Sequence, residues 1–118
     1  MHETPGARQY GYIWWVDRWR KSTAYVEMTL EQQGAYRNLL DEARTRNGVI
    51  PDNEVLLARA SGDPVRWPKL REVVLARFAL TPQGWRNETL DQVIAESTLR
   101  SHKQRKYRER LARGNGHR

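Results

Sequence analysis

The stretch Thr29-Leu30-Glu31-Gln32-Gln33-Gly34-Ala35-Tyr36-Arg37-Asn38-Leu39-Leu40-Asp41 carries both the start and the inward face of a helix. Thr29 and Gln32 form a capping-box pattern, in which each residue satisfies the other's exposed backbone N–H. Tyr36, Leu39, Leu40 and Ala43 then fall at i, i+3, i+4 and i+7, one apolar face. Arg44 and Arg46 suit the negative end of the helix dipole, and Gly48 suits the stop. Gly34 costs roughly 1 kcal/mol relative to Ala inside a helix, so its presence predicts that another backbone or an aromatic ring approaches closely.

Downstream, Val49-Ile50 reads as a very short strand. Pro51 and Asp52 begin a second helix, with Asp52 as its N-cap and Leu56, Leu57 and Ala60 facing inward. Ser61-Gly62-Asp63-Pro64 is a tight connector. A third helix follows, with Trp67, Leu70, Val74 and Phe78 as its stripe; Pro68 must lie in its first turn, so the regular helix cannot begin much before Val65. Phe78-Ala79-Leu80 and Trp85-Arg86-Asn87 read as strands around a Thr81–Gly84 turn. Glu88 opens a last helix that buries Leu90, Val93 and Ile94. Past Leu99 the apolar period fails, leaving only Tyr107 and Leu111 at i and i+4, and Gly114-Asn115-Gly116 frays the end. Upstream, residues 1–9 form a loose leader, Tyr10 to Val16 is a β-prone aromatic stretch, and Trp19 pins the charged segment Asp17 to Lys21 to the core. The expected fold is mainly α with a small β-hairpin: a winged helix-turn-helix domain over residues 10–99, whose last helix runs into a basic tail at 100–118. That order of elements presents the second helix of the unit to a DNA major groove.

The chain has 118 residues, enough for one core. Its mean hydropathy of −0.90 is very polar, so five Trp and five Tyr carry much of the burial. No apolar run has the length of a membrane span, and the start of the chain lacks a secretory apolar region. With no cysteine, disulfides, thiolate nucleophiles and Cys-ligated zinc are excluded. The net charge is +7, and residues 100–118 hold all of it: eight basic residues against Glu109, while the rest of the chain is balanced at thirteen of each sign. A basic block of this kind points to nucleic acid phosphates or, less often, an anionic membrane surface.

The Thr29–Asp41 block resembles the signature of the YdaU-like family of phage and prophage proteins. Gly48-Val49-Ile50-Pro51-Asp52, then Leu57-Ala58-Arg59, Gly62, Trp67, Phe78, Gly84-Trp85-Arg86-Asn87 and Leu90-Asp91 continue the likeness, and Asp17-Arg18-Trp19 looks like the family's aromatic lead-in. The likeness spans roughly residues 12–95. That family is similar to the N-terminal winged-helix domain of phage replisome organisers, which bind an origin and help recruit the helicase loader. The resemblance implies a role in phage DNA replication, with a helicase or its loader as partner, and carries over no binding residues.

Candidate DNA contacts are Arg66, Lys69 and Arg71 on the third helix, where Arg can pair bidentately with guanine. Arg86, with the Gln83-Gly84 turn, is a candidate wing contact, while Trp85 is expected in the core. In the tail, Arg100, Lys103, Arg105, Lys106, Arg108 and Arg110 are candidate phosphate contacts. Tyr10, Tyr12, Trp14, Trp15 and Trp19 have the chemistry to stack single-stranded bases, but at least three are expected in the core, and Lys and Arg are sparse around them. The histidines, His2, His102 and His117, sit in the leader or tail, and Asp41 and Glu42 are adjacent and point apart. The sequence therefore predicts no enzyme, no cofactor and no metal. It predicts a double-stranded DNA binder of the bacterial cytoplasm and nucleoid, away from membranes and open to homodimerisation. A transcriptional regulator and a protein adaptor on the same scaffold are the alternatives.

Overall fold

The computed structural model describes residues 11–116, so the leader, Tyr10, His117 and Arg118 lie outside the described residues. In chain order the elements are α1 (Val16–Arg20), α2 (Thr23–Glu27), α3 (Leu30–Thr45), β1 (Val49–Ile50), α4 (Glu54–Ala60), α5 (Trp67–Leu75), β2 (Ala79–Thr81), β3 (Gly84–Arg86) and α6 (Glu88–Gly116). The protein is mainly helical, with one three-stranded antiparallel sheet in the order β1-β3-β2.

The capping box at Thr29 and Gln32 forms as the sequence requires, with both reciprocal bonds present. The same helix ends in a left-handed residue, Asn47 at φ 60°, and the Gly48 N–H donates to the Ala43 carbonyl at 2.7 Å, closing a Schellman-type stop. Gly34 departs from expectation. A Cβ there would meet nothing within 4 Å, because the residue lies on the exposed side of α3 and no ring or backbone crosses it.

The sheet joins what the sequence presents as a hairpin and a separate short strand. Ile50 pairs with Trp85 and Val49 with Arg86, while Leu80 and Ala79 meet the same two residues from the other edge. Gly84 makes this close approach possible: any Cβ there would collide with the Ile50 carbonyl, and its φ is +136°. Phe78 precedes β2 and is buried in the core instead of pairing. Asn87 likewise leaves the strand and caps α6. Its Oδ1 accepts from the Leu90 N–H at 2.8 Å, and its Nδ2 donates to the Tyr36 hydroxyl and the Arg77 carbonyl. The cap of α4 is Asn53 rather than Asp52. Asn53 accepts from the Leu56 N–H, and Asp52 accepts from the Trp85 indole at 3.1 Å.

The aromatic stretch before α1 forms no strand over residues 11–15. Side chains of α3 hold the segment instead. Tyr12 donates to Asp41 at 2.7 Å, Arg44 donates to the Gly11 carbonyl at 2.9 Å, and the Arg37 guanidinium lies 3.6 Å from the Trp14 ring centroid. Ser22 starts α2 by accepting from the Tyr25 N–H, and Ala24 and Met28 are buried.

The core lies between α3, α5, α4 and the sheet. Leu39, Ala43, Ile50, Leu57 and Val74 are fully buried, and Trp67 nearly so. Trp19 extends it outward, stacking on Tyr36 at 5.7 Å and meeting Trp14 and Tyr25. From this body α6 continues as one helix of 29 residues, about 43 Å at 1.5 Å per residue. Its distal half is rich in Arg, Lys, Gln and Glu, all good helix formers, so it stays helical after its apolar stripe ends.

Candidate nucleic-acid interface

The candidate cations fall into two electrostatic groups. On α5, Arg66 sits at the N-terminal end, 3.2 Å from Glu31 and 3.7 Å from Asp63. Arg71 lies 2.6 Å from Glu54 of α4. Lys69 is exposed and has no ionic partner among the described residues. Arg86 grips Asp91 with both ends of its guanidinium, each bond 3.1 Å, and ties β3 to the first turn of α6. The rest of the exposed face of α5 is Pro68, Glu72, Val73 and Ala76, so that face is close to neutral.

The second group is distal α6. Arg100, Lys103, Arg105, Lys106, Arg108, Arg110 and Arg113 are all exposed, and none faces a carboxylate within 4 Å among the described residues. Lys103, Lys106, Arg110 and Arg113 stand at i, i+3, i+7 and i+10, which places them on one stripe of the helix. Arg100 and Arg105 stand to either side of it, and Arg108 lies on the opposite side of the helix. The structure thus leaves the tail cations free and holds Arg66, Arg71 and Arg86 in ion pairs with Glu31, Glu54 and Asp91. Two of those partners are far away in sequence, so no local signal announces them.

Two concave surfaces accompany these groups. An apolar groove of about 490 Å³ runs between α4 and α5, with Val55, Ala58, Pro64 and Pro68 along it and Arg59 and Arg71 at its rim. Trp67 lines it, and the buried Trp67 indole N–H finds no acceptor among the described residues. The signal for this groove in the sequence is slight: exposed Val55 on α4 and the two prolines Pro64 and Pro68. A smaller cleft of about 90 Å³ lies between the aromatic segment and α6, with Trp15, Trp19, Leu90 and Val93 in its walls.

Two phenols are held neutral. Burial raises the Tyr12 pKa above the ordinary tyrosine value, and its hydrogen bond to Asp41 raises it further. Burial also raises Tyr36, partly opposed by Asn87 and Arg77. Among the described residues no three His, Cys, Asp or Glu side chains gather as metal ligands, and no helix is long and apolar enough to cross a membrane.

A family model described as protein of unknown function, DUF1376, matches residues 12–95, and the chain belongs to that family. Comparison with curated proteins and with solved structures gives no match. The matched span covers the folded body and the first turns of α6 and stops before Arg100.

Proposed function

For this member of the DUF1376 family we propose DNA binding on a winged-helix scaffold, with most of the affinity carried by distal α6. The observation behind this reading is the set of seven exposed cations around distal α6, from Arg100 to Arg113, free of carboxylate partners among the described residues. Cations arranged this way release counterions from a nucleic acid backbone on binding. Each neutralised duplex phosphate steepens the salt dependence by about 0.9 in log–log slope, so seven give about −6.

The order α3-β1-α4-α5-β2-β3, with strands arranged β1-β3-β2, supports the winged-helix reading. In it α4 and α5 form the helix-turn-helix, β2 and β3 form the wing, and α5 offers Lys69 to the groove. Arg66 and Arg71 are in exposed ion pairs, each worth up to about 1 kcal/mol, and can exchange their carboxylates for phosphates. Arg86 stays with Asp91 and serves the fold. The YdaU-like resemblance supports placing this binding in phage or prophage DNA replication, at an origin, with a helicase or its loader as partner, in the cytoplasm of a bacterial host.

A protein-adaptor role is a second reading, favoured by the apolar groove between α4 and α5. An electrophoretic shift assay of the full chain on a 20-base-pair duplex at low salt separates the two. Retardation that disappears as salt rises supports DNA binding, and its absence at low salt overturns it.

A further inference from the structure

We propose a second contact, for single-stranded nucleic acid, along the face of α6 that runs from the aromatic cleft to Tyr107. It shares cations with the duplex reading but does not rest on the winged-helix assignment. The aromatic rings of the body are mostly used up. Trp14, Trp19, Tyr25, Tyr36 and Phe78 pack on one another, and Arg37 covers Trp14. Trp15 differs. It is 40% exposed, pairs with no other ring among the described residues, and lines the cleft beside the half-exposed Ile13; the Arg18 guanidinium stands over its ring at 5.8 Å, looser than the 3.6 Å of Arg37 on Trp14.

The opposite wall of that cleft is α6, through Thr89 and Val93. Steps of three and four residues from Thr89 reach Val93, Glu96, Arg100, Lys103, Tyr107 and Leu111, all on one helical face. Arg18 of α1 meets Glu96 at 3.7 Å, which places the start of the folded body against this face one turn beyond Val93. The following turns present two cations, Arg100 and Lys103, and then Tyr107, which is 57% exposed. The track therefore runs from ring, past the Arg18–Glu96 ion pair, to cation to cation to ring, with about 21 Å of helix axis between Val93 and Tyr107.

Exposed rings joined by a line of positive charge are what binds a single strand without sequence preference: bases stack on the rings while cations follow the phosphates. A duplex hides its base faces and gains nothing from Trp15 or Tyr107, so the rings distinguish the two ligands. The aromatic segment has few cations of its own, and the fold supplies them from α6.

Fluorescence anisotropy of the full chain tests this with labelled oligo(dT) of 20 nucleotides and a 20-base-pair duplex as probes. Trp15→Ala and Tyr107→Ala should each weaken oligo(dT) binding about tenfold and change duplex binding less than about twofold. Trp15→Phe should retain most of the oligo(dT) affinity. Arg100→Gln with Lys103→Gln should reduce the single-strand salt slope by about 1.4. Tyr107 stands beyond the core, so its variant keeps the test decisive if Trp15→Ala does not fold. Unchanged oligo(dT) binding in Tyr107→Ala, or equal losses on both probes, overturns the proposal. Ring-dependent oligo(dT) binding without duplex binding supports this contact and overturns the duplex reading. Duplex binding without ring-dependent oligo(dT) binding does the reverse.

Discussion

The folded body and the distal half of α6 use charge in opposite ways. In the body four arginines are tethers between different parts of the fold. Arg66 reaches Glu31, Arg71 reaches Glu54, Arg77 reaches Glu27 and Arg86 reaches Asp91, and each pair joins two different elements. In distal α6 the arginines and lysines touch no carboxylate among the described residues and pack against no core. Exposed pairs of the first kind contribute little energy singly, about 0–1 kcal/mol, so the body is held by its apolar interior and its charges mainly fix how elements meet. The second kind makes no such tie among the described residues, which is why the proposed binding is assigned to it.

The largest effect that bears on this contrast comes from removing the free charge. A chain ending at Leu99 should lose duplex affinity by about a thousandfold or more at low salt. Its thermal midpoint should shift by no more than about 2 °C, because residues 100–114 are all exposed. A calorimetric scan beside the binding assay checks both halves; a large drop in midpoint would mean that the tail supports the body.

The converse perturbation acts on the body alone. Leu57→Ala empties a fully buried site between α4 and the rest of the core and should lower unfolding free energy by about 2–5 kcal/mol. Urea unfolding gives the number. Below the unfolding transition the salt slope of DNA binding should be unchanged.

The two regions also differ in how far sequence alone reveals them. The α3 cap and stripe and the α5 stripe were legible because their signals are local and periodic. Helix α2 was not, since five residues hold no period and only Ser22 marks its start. The aromatic stretch before α1 has β propensity, yet α3 side chains claim its backbone and rings, a tertiary effect that overrides propensity. Asn53 displaces Asp52 as cap because Trp85 recruits Asp52 from 33 residues away. For the candidate site the free cations of α6 could be read from charge density alone. The ion pairs of Arg66 and Arg71 could not, because their acids come from α3 and α4. The continuation of α6 past Leu99 follows from helix propensity, a signal that apolar periodicity does not report.

A smaller effect sharpens the picture of α3. Gly34→Ala places a methyl group in open space and should stabilise the body by up to about 1 kcal/mol, raising its thermal midpoint by a few degrees. A loss of stability would mean that something does approach this position.

The smallest effect lies at alkaline pH. Tyr12 and Tyr36 have raised pKa values in the fold, so the unfolded chain releases their protons first, near pH 10. Their stabilising contribution is complete below pH 10 and is lost as pH rises beyond it towards the folded values. Unfolding free energy measured from pH 9 to 11 should fall, and Tyr12→Phe should make that fall shallower. A flat profile in the wild-type chain contradicts the burial of these phenols.

The division between a neutral, tethered body and a free cationic helix is tested most directly by salt titration of duplex binding. The comparison is between the full chain and a variant with Arg100, Lys103, Arg105, Lys106, Arg108 and Arg110 all changed to Gln, which preserves helix propensity. The log–log slope should fall from about −6 to about −1. A slope that stays near its wild-type value would place the phosphate contacts in the body and contradict the assignment of affinity to α6.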